Sequence, residues 1–228
     1  MPPKFGTSGL RGLVTELTDD LVADYTRAFL VACPHGGAVH VGQDLRASSP
    51  QIAQAVTRAV RNMGLRAVDH GVLPTPALAL ASMGAGQAAI MVTGSHIPAD
   101  RNGLKFYLPS GEIAKSDEEA IMAALGSGSV AAETGDLLRE AGALPAYVAR
   151  YVDAFGPQAL TGLRIGVYEH SSVARDAMVD VLRQMGADIV RLARADHFIP
   201  VDTEAVDADT REMLKAWCVE HALDALVS

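Results

Sequence analysis

Cysteine and long apolar runs are scarce in this sequence. Two cysteines occur among 228 residues, Cys33 and Cys218, and neither belongs to a Cys-x-x-Cys pair. A disulfide framework is therefore not expected, and a reducing, cytoplasmic compartment is favoured. No apolar run approaches the roughly 18 residues that a membrane span needs. The opening residues, Met1-Pro-Pro-Lys-Phe-Gly, lack the apolar region of a signal peptide.

Basic residues and metal-ligand clusters are also scarce. Nineteen Lys and Arg stand against 27 Asp and Glu, which gives a formal net charge of −8 with no basic block. Binding to nucleic acid requires a stripe of cations that displaces counterions, so we exclude that class. The seven histidines form no zinc-type spacing. The acidic segment at 201–209 lacks the Gly and closing Glu of an EF-hand, so it predicts a solvated loop and helix start.

Apolar residues and glycines are abundant, and their order is typical of an α/β protein. Apolar residues make up 49% of the chain, so a buried core is expected. AVHVG (38–42) and AAIMV (88–92) predict strands, and the second is apolar throughout, as strands covered on both faces are. Helices are predicted after N-caps at Ser49 and Thr75, and from a capping box formed by Ser116 and Glu119.

One strand–helix–Gly–strand pattern occurs twice, in RNMGLRAV and again in RQMGADIV. We therefore predict an α/β fold with two related three-layer α/β domains and mixed, mainly parallel sheets, the second domain incomplete. Residues 1–150 form the first domain, with a linker helix beginning near 145. Residues 151–228 form the second.

The stretch TGSHIPADRNGLKFY follows the strand at 88–92 and contains the main candidate residue, Ser95. Ligands of open α/β sheets bind beyond the carboxyl ends of the strands, where Ser95 is expected. A turn serine that bonds its own backbone is the structural alternative. A Ser-His-Asp hydrolase fits poorly, because the side chains of the neighbours Ser95 and His96 are expected to diverge.

Phosphoryl transfer suits this stretch better, since it requires positioned oxygens and nearby cations. We expect a tight turn at Asn102-Gly103 to bring Lys105 back toward Ser95, the alternative being a solvated strand lysine. KFGTSGLRG near the N-terminus offers three glycines and Arg11, a bidentate phosphate donor, although a flexible tail would have the same composition. Asp44 and Arg46 follow the strand at 38–42 and either pair with each other or support the crevice.

FGTSGLRG, GVLPTPAL and TGSHIPADRNGLKFY together resemble the α-D-phosphohexomutase family, which includes the phosphomannomutases and phosphoglucomutases. The resemblance implies that Ser95 carries a phosphoryl group, passes it to a hexose phosphate and recovers one from a hexose 1,6-bisphosphate, the expected activator. It also implies that Ser95, through its phosphate, ligates Mg²⁺. Lys105, Arg11 and His96 match residues beside this phosphate. The remaining expected ligand contacts are Thr7, Ser8, Arg46 and Asn102.

The resemblance also carries departures and alternatives. Ile97 replaces an Asn of many relatives, and VYEHSSVARD replaces a Gly-rich turn. The family's Asp-Gly-Asp-x-Asp-Arg metal loop is absent, so we expect an N-terminal part that is inactive alone. We expect a phosphomannomutase acting on hexose phosphate, with no nucleic-acid or membrane partner and no oligomeric state indicated. Phosphoglucomutase, phosphoglucosamine mutase or a non-catalytic sugar-phosphate-binding module are the alternatives.

Overall fold

The protein divides into two compact units in this computed structural model, which describes residues 3–6, 9–199 and 206–228. The first unit is Met1–Ala143 and the second is Leu144–Ser228. No helix among the described residues is long and apolar enough to cross a membrane.

The first unit is built on one mixed sheet. Its elements in chain order are β1 (Lys4–Gly6), β2 (Gly9–Leu13), α1 (Asp19–Ala32), β3 (Ala38–Gln43), α2 (Ser49–Asn62), β4 (Arg66–Val72), α3 (Thr75–Gly84), β5 (Ala88–Val92), β6 (Arg101–Leu108), β7 (Gly111–Glu112), α4 (Lys115–Ala123) and β8 (Leu137–Arg139). The strand order is β1-β2-β6-β5-β3-β4-β8, with β7 paired to β6. The four strands β5, β3, β4 and β8 run parallel. Antiparallel pairing joins β6 to β5, β2 and β7.

Helices cover both faces of the central strands. Val39 and Val41 of β3 belong to the core cluster that α1, α2 and α4 complete, and Phe29 of α1 contacts Phe106 of β6 at 5.0 Å between ring centroids. On the other face, a Cβ at Gly42 would meet Leu78 of α3. Every residue of β5 is buried, as the unbroken apolar run predicts.

The second unit contains a smaller parallel sheet. Its elements are α5 (Ala143–Phe155), β9 (Arg164–His170), α6 (Arg175–Gln184), β10 (Asp188–Arg194), α7 (Ala208–Glu220) and β11 (Ala225–Val227). The strand order is β10-β9-β11, and both pairings are parallel. The α/β class and the mixed, mainly parallel sheets are therefore as predicted.

Three predicted helix caps are wrong. Ser49 is inside α2, and its hydroxyl donates to Asp44 at 2.5 Å instead of capping the helix. No side-chain cap precedes α3, which follows Pro74. Helix α4 starts one residue before Ser116, and the carboxylate of Asp117 accepts the backbone N–H of Ala114 at 2.8 Å.

The acidic segment at 201–209 is described only in part. Residues 201–205 lie outside the described residues. Asp207, just before α7, accepts the backbone N–H of Thr210 at 2.8 Å. A carboxylate in this position satisfies an orphan donor of the first helical turn, so Asp207 acts as a helix cap.

Candidate active site

Ser95 lies in the loop that joins β5 to β6 and is exposed to solvent. Its φ of 51° lies in the left-handed region, which disfavours residues that carry a Cβ. Such a conformation costs on the order of 1–3 kcal/mol and persists only where the surroundings enforce it. The loop therefore presents the Ser95 hydroxyl in a conformation that other residues must hold.

Asp44, which follows the neighbouring strand β3, holds the start of this loop. Its Oδ2 atom accepts the Thr93 hydroxyl at 2.9 Å and the Gly94 N–H at 3.1 Å. The Thr93 hydroxyl oxygen in turn accepts the N–H of Ser95 at 3.0 Å. The other carboxylate oxygen accepts from Ser49. A chain of hydrogen bonds thus runs from buried Asp44 to the backbone of Ser95.

Arg46 holds the rest of the loop. Its side chain is 2% exposed, and its two terminal nitrogens donate to four backbone carbonyls at 2.6–3.1 Å, those of Ser95, Ile97, Pro98 and Arg101. Its Nε atom also lies 3.5 Å from Oδ2 of Asp44, so the alternative that these two residues pair is correct. The terminal nitrogens of the guanidinium donate to the protein's own backbone, so Arg46 supports the loop at a position where we expected it to contact ligand.

The predicted tight turn at Asn102-Gly103 is wrong, because both residues lie inside β6. Asn102 is fully buried and pairs with Gly12 of β2. Its side-chain amide donates to the hydroxyls of Ser48 and Ser49 at 2.8 and 2.9 Å. Glycine is needed at 103 because a Cβ there would lie 2.4 Å from the Leu10 carbonyl oxygen of β2. Asn102 therefore also supports the loop from behind, where contact with ligand was predicted.

The cations predicted beside Ser95 lie on β6, which neighbours β5, and on β2, the next strand beyond β6. Lys105 of β6 is opposite Met91 in β5 and opposite Gly9 in β2. Its Nζ atom lies 3.7 Å from Glu112 Oε1. Arg11 of β2 is half-buried and opposite Gly103. The strand pairing brings both cations to the sheet region that carries the serine loop, without the turn that was predicted to do so.

His96 is exposed, and its Nδ1 atom lies 3.4 Å from the Ser95 hydroxyl oxygen. The expectation that these neighbouring side chains diverge is therefore wrong, although the contact is long for a hydrogen bond. Thr7 and Ser8, the remaining predicted contacts, lie outside the described residues.

The described residues do not by themselves fit a magnesium site. They contain no group of three or more His, Cys, Asp or Glu side chains that could hold a metal. Both carboxylate oxygens of Asp44, the acidic group bonded to the loop, already accept protein hydrogen bonds. Ser95 is the one ligand that we predicted from this chain, and Mg²⁺ requires several oxygen ligands in near-octahedral geometry.

Sequence reasoning missed Thr93 and Ser49 as members of the site and assigned no hydrogen-bonding partner to Gly94. All three residues bond to Asp44. One signal could have found Thr93, because it directly follows β5 as Asp44 directly follows the parallel neighbour β3. The ends of adjacent parallel strands lie at the same edge of the sheet.

The mixed sheet is covered by helices on both faces, which defines an α/β/α protein. The strained serine at the carboxyl end of a buried strand exposes its hydroxyl to solvent. Residues 2–130 match the family model of the phosphoglucomutase/phosphomannomutase α/β/α domain I. This chain belongs to the phosphoglucomutase/phosphomannomutase family.

Several relatives and a solved structure are similar to the chain. A phosphomannomutase of Sinorhizobium fredii is 48% identical over all of this chain and 51% of its own length. A phosphomannomutase of Salmonella muenchen is 44% identical over 98% of this chain and 47% of its own length. A phosphoglucosamine mutase of Clostridium perfringens is 32% identical over 81% of this chain and 44% of its own length. The chain thus spans about half the length of these relatives.

Among solved structures, a phosphoglucomutase/phosphomannomutase family protein of Burkholderia thailandensis superposes with a TM-score of 0.68 at 25% identity. The match covers 81% of this chain and 42% of that one. The likeness therefore extends beyond the first unit, which ends at Ala143.

Proposed function

We propose that the protein that carries this chain is a phosphohexomutase, most similar in kind to the phosphomannomutases, and that Ser95 is its phosphoryl carrier. The observation that carries the proposal is the exposed Ser95 hydroxyl, held in a left-handed conformation at the carboxyl end of a buried strand. Strain of this kind clusters at functional sites. An ordinary turn serine would not need a buried aspartate and a buried arginine to hold it.

The proposed reaction moves one phosphoryl group between two oxygens. A hydroxyl oxygen of the hexose phosphate attacks phosphorus and gives up its proton, the bond between Ser95 Oγ and phosphorus breaks, and Ser95 Oγ takes up a proton. The resulting hexose 1,6-bisphosphate reorients and returns its other phosphoryl group to Ser95. The protein's task is to position these oxygens and balance their charge, because such transfers need little covalent assistance.

Arg11 and Lys105 are proposed to balance charge beside the phosphate and to assist the proton transfer. Their support is the strand pairing, since Gly103 is opposite Arg11 and accepts the backbone N–H of Thr93 at 3.1 Å. Arg11 thus lies on the strand beyond β6, two strands from the base of the serine loop. His96, at 3.4 Å from the Ser95 hydroxyl, is proposed to line the same site. Mg²⁺ is proposed for the whole protein, and none of these steps depends on it.

Mannose phosphate is the proposed substrate, since the phosphomannomutases are 44–48% identical to the chain and the phosphoglucosamine mutase 32%. Turnover is proposed for the complete protein, and the 228-residue chain alone is proposed to be inactive. Coupled assays with mannose, glucose and glucosamine 1-phosphates test both statements. A higher kcat/KM for the glucosamine phosphate would overturn the substrate assignment, and turnover by the 228-residue chain would overturn its inactivity.

Peptide mapping after incubation with a hexose 1,6-bisphosphate tests the role of Ser95. We expect one phosphoryl group per chain, located on Ser95, and none in a Ser95→Ala variant. Ser49 serves as an internal control, because its hydroxyl is fully buried and bonded to Asp44. Phosphate on Ser8 or Ser49, with Ser95 unmodified, would contradict the proposal. Sugar-phosphate binding without any phosphorylation or turnover would instead indicate a binding module.

A further inference from the structure

The guanidinium of Arg46 is the least expected component of the site, because it is buried and its terminal nitrogens donate to four backbone carbonyls. Arginine is rarely buried unless its charge is paired and its donors are satisfied. Here Asp44 supplies the charge, and four carbonyls of the segment 95–101 accept the donors. These carbonyls belong to the loop that presents Ser95.

Two of these bonds fall on the strained part of the loop. Arg46 donates to the carbonyl of Ser95 at 3.1 Å and to that of Ile97 at 2.6 Å. Asp44 and Thr93 hold the N–H side of Ser95, so the residue is fixed on both of its peptide groups. Fixing both peptide planes restricts φ and ψ of the residue between them, and this restriction maintains the left-handed conformation.

Gly94 shows how closely the guanidinium fits beneath the loop. A Cβ at position 94 would lie 2.3 Å from both Cζ and Nε of Arg46. Gly94 itself does not adopt the left-handed conformation, so a side chain at this position would carry no strain from a positive φ. Glycine is therefore required here by the arginine, because any larger residue would displace the guanidinium.

We propose that Arg46 is a positioning residue, which holds the Ser95 hydroxyl in its reactive orientation by clamping the loop carbonyls while Asp44 orients the guanidinium. This role rests on the proposed function of Ser95 as phosphoryl carrier. The geometry of the planar, five-donor guanidinium is what matters, because a lysine ammonium offers three donors from one point and cannot reach four carbonyls at once. Charge alone does not substitute for it.

Two variants test the clamp in the complete protein. Arg46→Lys keeps the charge and loses the planar donor array, and Gly94→Ala keeps Arg46 and displaces it. We expect each to lower kcat roughly a hundredfold, the scale reached when a reacting group is misplaced by about 1 Å. KM should change less than about threefold, since the substrate's own contacts remain. Arg58→Lys is the matched control, an exposed arginine of α2 that pairs with Asp19, and it should keep wild-type kcat.

Amide hydrogen exchange gives a readout that is independent of activity. In both variants the N–H groups of Gly94, Ser95 and Ile97 should exchange faster, while those of β3 keep wild-type protection. A wild-type kcat in Arg46→Lys would overturn the proposal, and so would an equal loss of protection throughout β3 and β5, which indicates a role in fold stability only.

A failure of the proposed function and a failure of the clamp give different results in this experiment. If wild-type protein takes no phosphate on Ser95, the proposed function fails. The exchange of the loop amides in Arg46→Lys still decides whether Arg46 fixes the loop, since that measurement needs no substrate.

Discussion

The Nδ1 atom of His40 lies 2.7 Å from the Nε2 atom of His70, with the two ring planes 17° apart. The Nε2 atom of His40 lies 2.9 Å from the side-chain oxygen of Gln87, so it donates there and Nδ1 accepts from His70. Burial lowers the pKa of His40, and the smaller effects of Gln87 and Glu140 oppose it. Burial also lowers the pKa of His70, and His40 lowers it further, against the opposing effects of Glu140 and Asp69. The folded protein therefore favours two neutral imidazoles.

Acid should destabilise the first unit through this pair. An unfolded histidine takes up a proton near pH 6.5, whereas the folded pair does so only at lower pH, so stability falls as pH drops below about 6.5. The slope is about 1.4 kcal/mol per pH unit for each proton by which the two states differ. Urea unfolding at several pH values measures it. The His70→Gln variant should lose less unfolding free energy in acid than the wild type, and the exposed control His197→Gln should lose as much as the wild type. Equal losses in the two variants would refute the prediction.

Lys105 should affect catalysis more than stability. Replacing it by Met should lower kcat by roughly two to four orders of magnitude, because proton transfer and charge balance at the phosphate are lost. Unfolding free energy should change by less than about 1 kcal/mol, since its ion pair with Glu112 is partly exposed. Glu112→Gln breaks the same pair and should keep normal kcat. Near-normal kcat in Lys105→Met would return this residue to the role of a solvated strand lysine.

Glu169 should stabilise the second unit. Its side chain is 2% exposed, and Oε1 accepts from Arg191 at 2.8 Å and from Arg194 at 3.2 Å. Glu169→Gln removes the buried charge that both arginines share and should cost roughly 1–3 kcal/mol. Asp176 contacts the same two arginines but is half exposed, so Asp176→Asn should cost less than about 1 kcal/mol. Denaturant unfolding of the two variants gives the comparison, and equal costs would contradict it.

Cys33 should be chemically inert in the folded protein. Burial, assisted by the nearby charge of Asp117, raises the pKa of its thiol to about 11. Thiolate is the reactive species, so at pH 8 Cys33 should not react with Ellman's reagent until the chain unfolds. Cys218 is only half-buried, so it should account for the fast phase of the reaction with Ellman's reagent. A Cys218→Ser variant should lose that phase, and rapid modification of Cys33 in this variant would show that the core around it opens.

The periodic signals in the sequence were sufficient for central elements of the fold such as β3 and β5, but not for the short strands β1, β2 and β8. The apolar run at 88–92 became a buried strand, and Gly64, with a φ of 77°, follows the end of α2. Such signals are local, because an unbroken apolar run and a glycine that accepts positive φ act within a few residues. The motif around Ser95 was likewise visible, and its position at a strand end followed from the topology of parallel sheets.

The sequence could not reveal how the serine loop is held, because the partners are far apart along the chain. Arg46 bonds to carbonyls at 95–101, and Asn102 to the hydroxyls of Ser48 and Ser49. A side chain's partner is set by which strand ends meet at the sheet edge, so Arg46 could be read equally well as a ligand contact. The same holds for Asn102-Gly103, whose composition suits a turn but whose pairing with β2 makes it a strand. Every residue carries the same backbone carbonyl, so the residue types do not indicate which carbonyls a buried cation binds. Those partners are set only by the tertiary structure.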